Sequence, residues 1–125
     1  MKSRALVAAT MLCLNCGAGY AADGLEEALV AYERGNYVDA EIKLLRAARA
    51  GDAQAQEMLG FMYAIGPTLY PGVPRNVGAA TVWFDRAARS GRPIARYMHC
   101  AIARLEVPPP ARENSHCVAQ LARLP

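Results

Sequence analysis

Residues 36–59 of this chain recur forty positions later, at 76–99. Asn36, Ala40, Arg46, Ala47, Ala48, Arg49, Gly51, Ala55 and Met58 match Asn76, Ala80, Arg86, Ala87, Ala88, Arg89, Gly91, Ala95 and Met98. The central phrase is RAARAGDAQAQEM in one copy and RAARSGRPIARYM in the other. Self-similarity at such a period marks a stacked array of supersecondary units. Each unit buries its apolar face only against its neighbours. That moves the functional expectation from catalysis toward a surface that holds another molecule.

The local signals are all helical. Residues 24–34 place Leu25, Ala28, Leu29 and Tyr32 on one stripe. Gly35-Asn36 interrupts the run, and a second helix is expected from about Tyr37 to Ala50, with Ala40, Leu44 and Ala47 on one face. Gly51 sits where a left-handed C-terminal cap is wanted. Asp52 can then cap a third helix, Ala53 to Ile65, with Ala55, Met58, Leu59 and Met62 as its apolar stripe. Residues 66–75, GPTLYPGVPR, hold three prolines and two glycines and read as a loop. Asn76 caps a fourth helix whose Ala80, Trp83, Phe84 and Ala87 face inward. Pro93 opens a fifth, running to about Leu105, and Pro108-Pro109-Pro110 stops it. A last amphipathic helix carries Val118, Leu121 and Leu124. Strand-like alternation is found nowhere in the chain.

Residues 53–92 carry a family pattern. Ala53, Ala55, Leu59, Gly60, Tyr63, Gly66, Gly72, Val73, Ala80, Trp83, Ala87, Ala88 and Gly91 fall in the order of a Sel1-like repeat, a relative of the tetratricopeptide repeat. The chain resembles that family over one full repeat. Residues 24–52 resemble a degenerate preceding repeat, and 93–125 a partial repeat with a capping helix. One departure stands out: Gly66 and Gly72 are separated by Pro67-Thr68-Leu69-Tyr70-Pro71, an insertion of four relative to the family. The resemblance implies an all-α, right-handed α-solenoid of about three helical hairpins and a role in assembling protein complexes.

The N-terminus reads as a secretory signal peptide over residues 1–21, leaving a repeat domain at 22–125. Lys2 and Arg4 precede an apolar run, Ala5 to Leu14, that is too short to span a bilayer. Gly19-Tyr20-Ala21 places small residues at −3 and −1 of a cut after Ala21. An N-terminal membrane anchor is the alternative, and the end of the apolar run at Asn15 argues against it. Cleavage leaves 125 − 21 = 104 residues and lowers the formal charge from +3 to +1, which gives nucleic-acid binding no support. The expected location is periplasmic or secreted, with no membrane span after cleavage. Residues 23–59 carry −4 and residues 60–125 carry +5.

No catalytic constellation is present, and no cofactor is expected. His99-Cys100 and His116-Cys117 invite a zinc reading, but adjacent residues on a helix point about 100° apart and the usual ligand spacing is missing. An exported chain meets an oxidising compartment. Cleavage leaves two cysteines on consecutive helices, and some exported members of the resembled family are stapled by disulfides. A Cys100–Cys117 disulfide is therefore expected, worth about 3 kcal/mol on the chain-entropy model. Arg86, Arg89, Arg92 and Arg96 straddle the turn between the fourth and fifth helices, either as structural residues or as an anion-contacting patch. Leu69 and Tyr70 either meet a partner or fold back over the solenoid's own groove. These six residues form the candidate partner surface of an exported, non-catalytic adaptor whose partner is another protein of acidic character. The other functional classes are a cell-wall or anionic-polysaccharide binder and a β-lactam-binding or hydrolysing enzyme of the kind associated with cysteine-rich relatives. Against the last, the chain has no Ser-x-x-Lys motif.

Overall fold

The computed structural model describes residues 18–106, with side chains from 24 to 103. These residues are all-helical. Five helices, α1 (Ala18–Glu33), α2 (Tyr37–Arg49), α3 (Ala53–Ile65), α4 (Val77–Arg89) and α5 (Pro93–Glu106), are joined by short turns, with a single 3-10 turn at Gly66–Thr68. Most of the expected leader, Cys117, and the segment carrying Val118, Leu121 and Leu124 lie outside the described residues.

The helix ends follow the capping chemistry of the repeat. Asp52 Oδ1 accepts from Ala55 N at 2.7 Å, and Asn76 Oδ1 accepts from Ala79 N at 3.0 Å. At the end of α2, Gly51 N donates to Ala48 O and Asp52 N to Ala47 O. Forty residues on, Gly91 N donates to Ala88 O and Arg92 N to Ala87 O. Two boundaries differ from the sequence expectation. Helix α1 already includes Ala18, the first described residue, where the sequence expectation began at Gly24. The loop at 66–75 contains the 3-10 turn, with Pro67 in its first turn, where no N–H is needed.

Each helix packs on the next in sequence, and α3 also reaches α5. This makes α3 the central element. Its buried residues, Ala55, Gln56, Glu57, Leu59, Gly60, Met62 and Tyr63, occupy nearly every side of the helix. The apolar stripes expected of α2 and α4 are buried as drawn, with Leu44 and Phe84 fully inaccessible and Trp83 at 8 % exposure. On α3, Met58 is only half-buried.

Gly60 sets the approach of α4 to α3. A Cβ built there would lie 2.6 Å from two ring carbons of Phe84. The Phe84 ring in turn meets the edge of Phe61, with centroids 5.1 Å apart. The hydrogen at Gly60 is thus what lets a fully buried aromatic ring lie flat on the helix backbone.

Candidate functional site

The inserted loop closes on the C-terminal end of α3. Tyr70 N donates to Gly66 O, Asn76 N to Tyr63 O, and Arg75 Nε to Ala64 O. These bonds satisfy carbonyls that a helix end leaves without partners. Gly66 takes φ +69° and ψ −148°, a region essentially open only to glycine. A Cβ there would also lie 2.5 Å from Arg75 Cβ, so the close approach of the loop depends on it.

The loop divides the two residues expected to act together. Leu69 is 54 % exposed, whereas Tyr70 is 5 % exposed. Tyr70 packs against Tyr32 and Tyr37, with ring centroids 5.9 and 5.3 Å away. The Tyr32 hydroxyl donates to the Tyr70 hydroxyl oxygen at 3.2 Å. Burial holds the Tyr70 hydroxyl protonated well above the ordinary tyrosine range. Tyr70 is therefore buried in the core, the second of the two places expected for it. Its ring finds two others already edge to face across the α1–α2 turn, and stacking there is worth more than exposure.

Beside this loop lies an open depression of about 430 Å³, lined by Gly35, Asn36, Tyr37, Val38, Asp39, Ile42 and Pro71. Val38 and Ile42 stand one helical turn apart on α2 and are 49 % and 48 % exposed. The loop supplies the opposite wall. A Cβ at Gly72 would lie 2.6 Å from a Val38 methyl, which shows how closely the loop backbone lies against α2. The result is a concave apolar floor with Leu69 two residues from its wall and the Asp39 carboxylate at its rim, held by Lys43 at 2.8 Å.

The four arginines do not form one patch. Arg86 lies over the Trp83 ring, 4.8 Å from its centroid. Arg89 pairs with Asp85 at 3.0 Å, one turn back on the same helix. Arg92 donates through Nη2 to Glu57 Oε1, a bond that holds its guanidinium above the usual pKa. Arg96 is exposed and, among the described residues, makes no ion pair or ring contact. Arg86, Arg89 and Arg92 thus each have a contact within the chain, and the Arg89 side chain stays 78 % exposed. They are also not joined to the loop: Arg92 meets α3 at its fifth residue, about 12 Å of helix axis from the end where the loop leaves.

Glu57 is the residue the sequence reading missed. Its side chain is 8 % exposed, and while Oε1 pairs with Arg92, Oε2 accepts from Ala95 N at 3.1 Å. A carboxylate from α3 therefore caps α5, whose own cap position is held by an arginine. The clue in the sequence was that absence: Gly91-Arg92-Pro93 offers no Ser, Thr, Asp or Asn before the helix. Glu57→Ala should cost about 2 kcal/mol, mostly from the buried Ala95 N–H left unpaired. The ion pair itself adds little, because the Arg92 side chain is 39 % exposed and can turn to water. Glu57→Gln, which keeps an acceptor, should lose less; urea unfolding of the two variants checks the order.

Cys100 is 2 % exposed and is not a free thiol, and Cys117 lies outside the described residues. His99 Nδ1 lies 3.4 Å from Thr81 O. Among the described residues no three His, Cys, Asp or Glu side chains converge on a point, and no helix is long and apolar enough to cross a membrane. No family model, curated protein or solved structure matches the chain.

Proposed function

We propose that the chain is a non-catalytic adaptor of the cell envelope, a short solenoid of Sel1-like repeats that holds another protein at the depression beside its inserted loop. One observation carries the reading: a concave surface floored by Val38, Ile42 and Pro71, with Val38 and Ile42 about half exposed one turn apart on α2. Exposed apolar floors with polar rims are the usual form of protein docking sites. The order of the repeat residues supports the solenoid. The charged start, apolar run and small residues before Ala22 support export. Cleavage after Ala21 would shorten α1 by its first four residues and leave Leu25, Ala28 and Tyr32 in place. An exported chain also favours the Cys100–Cys117 disulfide, which would tie the C-terminal segment to α5.

A partner seated here would touch α2 and the loop rather than the arginine turn. An anionic polymer finds little to hold at that turn, where three of the four guanidinium groups are engaged. The test is capture of an envelope protein by the mature chain and by Val38→Ser and Ile42→Ser variants. Both side chains are about half exposed, so melting should move little. Capture should fall about tenfold or more if they are central contacts. Unchanged capture by both variants would remove the depression from the account.

A further inference from the structure

Among the described residues, Val30, Leu69 and Val82 are exposed singly, and the other exposed large apolar residues fall into two pairs. One lies at the depression, in the part of the chain with net negative charge. The other is on α5, where Ile94 and Tyr97 stand one turn apart and are 55 % and 48 % exposed. Over the described residues the two halves are opposite in charge: residues 18–59 hold eight acids and four bases, and residues 60–106 hold six bases and two acids, giving −4 and +4. Beside the α5 group Arg96 is exposed while Arg92 is paired with Glu57, and at the depression Asp39 is paired with Lys43, so the charge difference lies between the two halves as wholes. The two groups also lie toward opposite ends of α3. Tyr63, near its C-terminal end, donates to Glu41 of α2 at 2.6 Å, and Glu57, in its N-terminal half, holds the start of α5.

We propose that the depression receives a second copy of this chain, with Ile94 and Tyr97 of one molecule seated against Val38, Ile42 and Pro71 of the next. The inference rests on the depression being a docking site and names its occupant. Two different apolar surfaces of one molecule that meet each other make a head-to-tail contact, which leaves a vacant depression at one end and a vacant α5 pair at the other. Such contacts grow into chains unless the rotation closes. The opposite charges of the two halves orient the encounter, and salt weakens it. The α5 pair is small beside a standard interface, so the contact is a weak one whose assembly depends on concentration.

The experiment is sedimentation velocity of the mature chain from about 10 µM to about 1 mM, in low and high salt. The sedimentation coefficient should rise with concentration in low salt and fall back in high salt. Ile42→Asp and Tyr97→Asp, which block the depression and the α5 pair respectively, should each remain monomeric. Mixed together, they should form a one-to-one complex that grows no further, because one intact depression meets one intact α5 pair. Circular dichroism confirms that each variant is folded, and Val38→Ser and Ile94→Ser replace them if either is not. A wild-type monomer at every concentration, an assembly that survives both substitutions, or a mixture without a complex would each overturn the inference. The first of these would leave the adaptor reading standing if Val38→Ser still abolished capture of a different envelope protein.

Discussion

Gly60→Val should lower the unfolding free energy by about 3 kcal/mol. Two effects compete. Replacing glycine inside a helix gains a few tenths of a kcal/mol of helix propensity for valine. Against that, the first added carbon would lie 2.6 Å from the Phe84 ring, well inside contact distance. The ring cannot swing away cheaply, since Phe84 is fully buried and its far side meets Phe61. Overpacking therefore wins. Relief should come from shrinking the obstacle: Gly60→Val combined with Phe84→Leu should cost less than the sum of the two single changes. A double-mutant cycle in urea measures that coupling. Strict additivity would mean that α4 does not rest on Gly60 as described.

Tyr70→Ser should cost about the same, roughly 3 kcal/mol, by opening a cavity among Tyr32, Tyr37 and the loop. Tyr70→Phe isolates the hydroxyl. It removes one 3.2 Å bond that is partly buried, so its cost should be nearer 1 kcal/mol. The contrast with Leu69 is the useful part. Leu69→Ser changes a side chain that is 54 % exposed and should leave thermal unfolding almost unmoved. Thermal melts of the three variants should therefore rank Leu69→Ser, then Tyr70→Phe, then Tyr70→Ser in order of increasing loss. A large loss on Leu69→Ser would show that the whole loop belongs to the core.

Most of the helical layout was legible because the repeat writes its own punctuation. Gly51 and Gly91 end equivalent helices, and Asp52 and Asn76 begin α3 and α4. The alanines at 40, 47, 80 and 87 marked the faces where helix axes approach. The start of α1 was less legible. Its first residues, Ala18 to Ala22, also carry the small side chains that a cleavage site requires, and those two signals overlap.

The candidate site was harder to see for physical reasons. Leu69 and Tyr70 are neighbours of similar hydrophobicity, and only contacts from α1 and α2 decide which turns inward. Those contacts span 38 residues between Tyr32 and Tyr70, a separation that local pattern does not register. The arginines cluster in sequence, but three of the four find separate contacts: a ring, an acid on the same helix, and a buried acid on α3. The depression itself needs a loop from one repeat and a helix from the previous one, so no single stretch of sequence contains it.

Site-specific photo-crosslinking tests the central claim most directly. A photoreactive residue is placed in turn at positions 42, 69 and 89 of the chain, and adducts are resolved by mass. Position 42 lines the proposed docking surface and position 69 lies beside it, whereas position 89 lies at the arginine turn that ends α4. The account predicts protein adducts at 42 and 69, weakened by Val38→Ser, and little at 89. Adducts concentrated at 89, or none at 42, would contradict it.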